Sequence, residues 1–508
     1  MHRRIGTESI RISYAEMAGR VATILDVFEG LGIRSGQRIA CYLDDVADSV
    51  HMAVACAHAG VTTVPLDPRS SPTALRRLNE RTEAVAVFTR PEHLAQLGEL
   101  AIPTLVFVEG AAPAGTINLH RDTNPDARTA LELLRTLRPP ASTLYVIQPT
   151  SGTTGEPKLM LRTQLPFLRI ARLWRFQQLD AVATPQRRIM VNPLTHGTGL
   201  LDLWSGFAIG AEMCVPSRPN TEAPLDEVRA LDPHVLVMVP RILRALHRTQ
   251  VSRGEPPGTR LLGPSAKIFV FGGAPCEPEL QTLLLEQGVQ VLEVYGTSET
   301  GILTMMPIGE RRVGWAGKPF DDVEIKIDED GEILARSQCM MEGYLGDETL
   351  TRESYDDEGF YRTGDFGELS ADGWVKILGR KKDVFNTPLG NNIFPGRLEG
   401  MLEQVPAVQQ AVLIGDSRLF LTALVVLGKG DRLDEVARHV KEMNRRLEPE
   451  ERVRRLCALD APFDGDLYRP VGHGKVRRER KLIEERYKPL IDALYQERSE
   501  SPAICVVE

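Results

Sequence analysis

Apolar residues recur at helical spacing between Tyr14 and Gly30, where Met17, Val21, Ile24, Leu25 and Phe28 share one face, and this spacing predicts a helix. The run RIACYL, from Arg38 to Leu43, reads as a short buried strand. DSVHMAVACAHAG then predicts a helix, GVTTVPLD a strand, TALRRLNERT a helix and AVAVFTR a strand. Such a rhythm belongs to α/β layers built around a mostly parallel sheet. Between Glu109 and Ser142 the pattern gives way to Ala, Pro, Thr and Asn, the composition of a surface excursion, with one helix at ARTALELLRTL. TLYVIQ predicts a strand that runs directly into PTSGTTGEPK, at 149 to 158. Farther along, VEIKIDEDGEILAR and GELSADGWVKILGR are short alternating runs broken by Asp-Gly pairs, which predicts hairpins rather than crossovers. After GRKKD the helices and strands resume as a separate unit, and the last residues, ERSESPAICVVE, read as a frayed tail. No repeat with a period of about 20 to 50 residues is visible.

The expected fold is therefore α/β: a large N-terminal domain of layered α/β subdomains with a β-rich subdomain, followed by a small α+β C-terminal domain. The reading places the large domain at 1–379, a connection at 380–383, the small domain at 384–496 and a flexible tail at 497–508. Length agrees, since 508 residues exceed what one hydrophobic core supports. Composition adds limits rather than identity. At 42% hydrophobic and 26% charged, the chain resembles ordinary globular proteins. No stretch approaches the roughly 20 apolar residues of a membrane helix. The start, MHRRIGTESIRISY, lacks a signal-peptide core, so a cytoplasmic protein without membrane insertion is expected. The seven cysteines are scattered without metal-ligand spacing, which argues against a disulfide framework or a zinc site. A net charge of −8 gives no general attraction to nucleic acid.

The densest chemistry lies in the run at 149 to 158. Glycines at 152 and 155 let backbone N–H groups turn toward an anion. The hydroxyls of Thr150, Ser151, Thr153 and Thr154 can donate to its oxygens, and Lys158 can neutralise it. A polyphosphate fits this set. The run is not a Walker A loop, because Glu156 and Pro157 separate the second glycine from the lysine. A solvated Ser/Thr/Gly turn would use the same residue types.

TSGTTGEPK resembles the phosphate loop of the adenylate-forming superfamily of acyl-CoA synthetases, peptide-synthetase adenylation domains and luciferases. Companion motifs follow in the family's order: AGVTTVPLDP (59 to 68), PLTHGTG (193 to 199), GGAPC (272 to 276), YGTSETG (295 to 301), YRTGD (361 to 365), GRKKD (379 to 383), LGNNIFP (389 to 395) and GHGKVRR (472 to 478). The resemblance covers nearly the whole chain. It implies an AMP-forming acid–thiol ligase that converts a carboxylic acid and ATP to acyl-AMP and pyrophosphate, then transfers the acyl group to the thiol of CoA. It also implies that the small domain is mobile.

Residue by residue, the resemblance gives Glu299 the Mg2+ of ATP, a match of hard carboxylate with hard cation. Tyr295, Gly296, Thr297 and Ser298 would lie by the nucleotide, and Gly272, Gly273, Ala274 and Pro275 would let the adenine and the acyl group approach the backbone. Asp365 would accept the ribose hydroxyls, with the planar donors of Arg380 on the same nucleotide. His196 corresponds to the residue that gates the acyl pocket. Lys475 is the expected catalytic lysine, reaching the carboxylate and α-phosphate, where negative charge accumulates. Lys382 would be the hinge, and Gly390 would line the thiol channel.

The family's amino-acid-activating members place an aspartate after the PLTHGTG-type motif. Gly197 stands there, with Asp202 nearby, which disfavours an α-amino acid. The apolar segments LLDLWSGFAIG and GILTMM suit a fatty acid, ahead of an aryl acid. The short connection from Gly301 to Gly317 favours CoA over an acyl carrier protein. Departures from the pattern are Leu159 for glycine, Gln164 for histidine, Ser298 for threonine and His473 for a hydroxyl residue. Two other readings compete: a carrier-protein acyl-AMP ligase, and a nucleotide-binding regulator without turnover. The basic run RPVGHGKVRRERKLIEERYK lacks the interleaved aromatics of a nucleic-acid surface, so no nucleic-acid partner is expected.

Overall fold

The computed structural model describes residues 1–5, 8–43, 46–67, 70–98, 102–108, 111–120, 125–150, 157–176, 185–217, 225–256, 258–274, 276, 278–386, 392–428, 430, 432–463, 465, 467–470, 476–496 and 504–507. Packing divides the chain into two compact units. The first comprises Met1–Arg311, Gly317–Glu324 and Ala335–Tyr361; the second comprises Arg312–Ala316, Ile325–Leu334 and Arg362–Glu508.

The first unit opens as the apolar spacing predicts. Helix Tyr14–Gly30 starts at a capping box, in which the Glu16 amide donates to Ser13 Oγ at 3.1 Å and the Ser13 amide donates back to Glu16 Oε2 at 2.7 Å. Met17, Val21, Ile24, Leu25 and Phe28 form its buried face. Strands Arg38–Tyr42, Thr62–Leu66, Ala86–Thr89 and Thr104–Val106 run parallel within an eight-stranded sheet. All five residues of Thr62–Leu66 are buried, the signature of a strand covered on both faces. The stretch read as a surface excursion contributes more than its helix Ala127–Thr136, because Thr116–Asn118 adds a parallel edge strand to this sheet.

Strand Leu144–Thr150 also joins the sheet in parallel, beside Thr62–Leu66. The hydroxyl-rich run beyond it does not lead into a crossover helix. It connects Leu144–Thr150 to the antiparallel strand Lys158–Thr163, with Thr150 opposite Lys158. Gly343–Tyr344 then pairs on the far side of that strand, with Tyr344 opposite Met160. A second sheet, of nine strands, has a parallel centre that includes Arg187–Ile189, Val235–Val237, Ile268–Gly272 and Gln290–Thr297. It turns antiparallel at Gly301–Met305.

Both Asp-Gly punctuated stretches form strands of one four-stranded sheet: Val323–Ile327, Glu332–Ser337, Tyr361–Leu369 and Val375–Arg380. In the second unit a further sheet joins Val408–Ile414, Leu421–Leu427, Val453–Leu459 and Ile504–Val506. Leu398 and Leu402, from helix Pro395–Glu403, pack with Ala423, Val425, Val436 and Leu456 in its core. The last strand corrects the expectation of a frayed tail over 497–508. Residues 497–503 and 508 lie outside the described residues, but Cys505 pairs with Leu456 and Val507 is buried in the same core. The alternating β-branched and apolar residues of ICVV cover a sheet edge that would otherwise expose unpaired backbone. All seven cysteines are free thiols, and burial pushes Cys41 up to about 12. Among the described residues, no helix is long and apolar enough to cross a membrane.

Candidate active site

The hairpin that carries the hydroxyl-rich run brings two candidate residues face to face. Thr150 and Lys158 are cross-strand partners, and both are half-buried. The candidates between them, Ser151, Gly152, Thr153, Thr154 and Gly155, lie outside the described residues. Lys158 Nζ sits 5.1 Å from the centroid of the Tyr344 ring, a cation–π contact. Leu159 is buried against Ile147 and Leu66, so the departure from glycine at this position fills core.

The Tyr344 hydroxyl donates to Glu299 Oε1 at 3.3 Å. Glu299 stands at the tip of the hairpin formed by Gln290–Thr297 and Gly301–Met305. The tip is held by the Thr297 amide, which donates to Thr300 Oγ1 at 2.9 Å, and by Gly301, whose φ of 66° is left-handed. Gly296 is demanded by the same turn, because a Cβ there would overlap the Gly301 carbonyl. Tyr295 is buried, Thr297 half-buried and Ser298 exposed. The Met341 amide donates to the Glu299 carbonyl at 2.8 Å, fixing the tip from below. Burial raises the Tyr344 and Tyr361 phenols, and the Glu299 charge raises both further. The site is therefore a half-buried carboxylate near two neutral phenols, with an ammonium over the ring of one of them. Among the described residues no cluster of three or more His, Cys, Asp or Glu side chains could cage a metal ion. A single carboxylate, Glu299, bonded to the Tyr344 phenol fits Mg2+, which is commonly held by one or two carboxylates together with substrate phosphates.

Gly272 ends strand Ile268–Gly272, where a Cβ would lie 2.6 Å from the Val294 carbonyl. Gly273 has a φ of 75°, Ala274 is exposed, and Pro275 lies outside the described residues. His196 precedes helix Gly197–Ala208 as its N-cap residue, without a side-chain capping bond. Asp202, on that helix, is buried and paired with Arg188 at 2.5 Å, while Arg188 also donates to Ser205 Oγ at 2.9 Å. This carboxylate is committed to the core.

In the second unit, Asp365 and Arg380 are cross-strand partners joined at 2.9 Å from Arg380 Nε to Asp365 Oδ1. The carboxylate is buried, whereas the guanidinium is 45% exposed and also donates to the Thr363 carbonyl at 3.2 Å, so the pair is open on the arginine side. Lys382 is exposed within the single turn Lys381–Asp383. Gly390 and Lys475 lie outside the described residues. Just beyond Lys475, Arg480 forms a bidentate pair with the buried Glu399 at 2.6 and 2.8 Å. Arg478 bonds Glu403 at 2.6 Å, and Tyr468 donates to the same oxygen at 3.1 Å. Despite its burial, Glu399 is held below the usual carboxylate range by the two arginines. Sequence reading missed Tyr344 and Glu399, since their partners are 45 and 81 residues away. Neither residue stands in a motif that marks the pairing.

The chain matches the AMP-binding enzyme family over residues 2–345 and the AMP-binding enzyme C-terminal domain over residues 382–499. It is 26% identical to the long-chain-fatty-acid–CoA ligase of Mycobacterium bovis, over 95% of this chain and 92% of that one. It is also 26% identical to a feruloyl-CoA synthase of Amycolatopsis, over 83% and 85%. The o-succinylbenzoate CoA synthetase of Bacillus subtilis, solved with its acyl-adenylate intermediate, shares the fold with a TM-score of 0.73 at 21% identity, covering 94% of each chain. The same synthetase solved with ATP and a magnesium ion gives a TM-score of 0.70 at 22% identity, covering 90% of this chain and 92% of that one. The chain belongs to the AMP-binding enzyme family. Within it, the protein is an acid–thiol ligase of the AMP-forming type, an acyl-CoA synthetase of the adenylate-forming superfamily.

Proposed function

We propose that this ligase activates a fatty acid, or next an aryl acid, with Mg-ATP and passes the acyl group to CoA in the cytoplasm. The observation that carries the reading is the chain of contacts from Lys158, the cross-strand partner of Thr150, through Tyr344 to Glu299. Thr150, Ser151, Gly152, Thr153, Thr154, Gly155 and Lys158 would hold the β- and γ-phosphates. Glu299 would hold Mg2+, which supplies charge neutralisation on the phosphates when bound. Gly273, Ala274, Pro275, Tyr295, Gly296, Thr297 and Ser298 would border the adenine and the acyl group. Asp365 would accept the ribose hydroxyls, with Arg380 turning its exposed donors to the same nucleotide.

In the first half-reaction a carboxylate oxygen of the acid attacks the α-phosphorus, the bond to the β-phosphate oxygen breaks, and pyrophosphate leaves. Lys475 neutralises the two anions that this step forces together, and removal of one such group costs about 10²–10³ in rate. In the second, the CoA thiolate adds to the acyl carbonyl and AMP departs. His196 would gate the acyl pocket, Lys382 would act as hinge between the domains at 1–379 and 384–496, and Gly390 would line the thiol channel. Asp202 is locked to Arg188, which supports an acid without an α-ammonium. The short segment 301–317 supports CoA over a carrier protein. Pyrophosphate release with Mg-ATP across fatty, aryl and amino acids, with and without CoA, tests the reading. One acid class giving release that Lys475→Ala abolishes, with a thioester formed only with CoA, is the expected result. ATP binding without acid-dependent release would point to a regulator instead.

A further inference from the structure

A buried positive charge in the first unit touches no carboxylate among the described residues. Arg162, on strand Lys158–Thr163, is 1% exposed, and its Nε and Nη2 bond to nothing among the described residues. Its guanidinium is wedged between two glycines. A Cβ at Gly197 would lie 3.2 Å from Nη1, and one at Gly301 would lie 3.0 Å from Nη2. Gly197 is the first residue of the helix Gly197–Ala208, whose N-cap side chain does not close the helix end. The helix dipole and the guanidinium therefore bring positive potential to the same point, where each opposes the other. Gln148 reaches that point as well. Its Nε2 donates to the Thr195 carbonyl at 3.4 Å, while its buried Oε1 is unbonded.

The partners that do face the guanidinium compensate it in part. The Phe167 ring stacks below at 5.3 Å, and Glu299 acts only through space. A buried charge without a hydrogen-bonded counter-ion is unfavourable until an anion arrives. The planar fork of arginine and the free amides at a helix start both suit a carboxylate.

We propose that Arg162 and the start of the Gly197–Ala208 helix form a subsite for a second carboxylate carried by the substrate acid, which makes this protein a dicarboxylate–CoA ligase. The inference rests on the ligase reading above and narrows its fatty or aryl acid to one with a distal carboxylate. The acidic residue of the same helix, Asp202, is neutralised by Arg188, so the charge left unanswered here is positive and selects an anion rather than an ammonium.

The test compares matched acids of equal length, straight-chain and aryl, with one carboxylate or two, in pyrophosphate release by the wild type, Arg162→Met and Gly197→Ala. The wild type is expected to prefer the dicarboxylates. The ratio of kcat/KM for dicarboxylate over monocarboxylate should fall by about 10- to 100-fold in Arg162→Met, the range for a hydrogen-bonded ion pair. It should fall in the same direction in Gly197→Ala, whose methyl presses on the guanidinium without removing it. A wild type that turns over monocarboxylates as well as dicarboxylates overturns the proposal, as does an equal loss for both series in the variants. If no acid supports release, the ligase reading fails separately. Dicarboxylate binding to the wild type, read as a thermal shift absent with monocarboxylates, then decides the subsite by its presence or absence.

Discussion

Arg188 and Asp202 form an ion pair with side chains 1% exposed on both sides, so neither can be removed cheaply. Asp202→Ala leaves a buried guanidinium unanswered and is expected to cost about 3–5 kcal/mol in urea unfolding, while adding Arg188→Met should recover much of that loss. Glu293 gives a second prediction at this scale. Burial pushes its carboxyl from 4.5 up to about 7. A carboxyl with a raised folded pKa keeps its proton in the folded protein, so its contribution is complete below about pH 4.5 and is lost as pH rises through about 7. Glu293→Gln should therefore match wild type near pH 4 and exceed it by up to about 3 kcal/mol near pH 8, as read from unfolding midpoints across that range. Among the single residues that motifs mark, Asp365 and Arg380 are brought together across two strands at 2.9 Å. Arg162 and Tyr344 were not legible in the sequence, because a buried charge and a phenol acquire meaning only from the strands that pair around them.

At the level of elements, local signals carried well. The Ser13/Glu16 box starts the first helix, and Asp-Gly pairs mark the turns of the antiparallel sheet. What failed was pairing over distance. The strand Lys158–Thr163 turns the hydroxyl-rich run into a hairpin, and Ile504–Val506 reaches back to Val453–Leu459, choices made by sheet edges that no local pattern specifies. The arginines after Lys475 belong to this scale. Arg480 and Arg478 anchor their segment on Glu399 and Glu403 from helix Pro395–Glu403, with Glu399 also accepting the Leu413 amide at 2.8 Å. Glu399→Ala strips both arginines of their shared partner and should destabilise this unit by about 3–5 kcal/mol, seen by hydrogen exchange in 408–414 and 476–486. Adenylation should slow along with it, because the segment that bears Lys475 loses its anchor, and Glu399→Gln should rescue only part of both effects.

The whole molecule divides by packing at residues 361 and 362, ahead of the connection at 380–383 that its charge density marks, while the two family matches leave 346–381 between them. Sequence conveyed that there are two units, since length and the change from crossovers to hairpins both require it. It did not convey that residues 312–316 and 325–334 pack with the second unit, because the contacts that recruit them are long-range. The hinge proposed at Lys382 can be separated from both chemical steps. Lys382 lies in the exposed turn Lys381–Asp383, so its replacement removes no core contact. Proline there fixes φ and deletes an amide donor, which restricts the rotation that a second half-reaction would need. In Lys382→Pro, acid-dependent exchange of pyrophosphate into ATP should stay within about threefold of wild type, while acyl-CoA formation should drop by about tenfold or more, on the scale of about 1.4 kcal/mol per decade. Equal losses in exchange and thioester formation would instead show that Lys382 serves the first step, and unchanged rates in both would remove the hinge from this position.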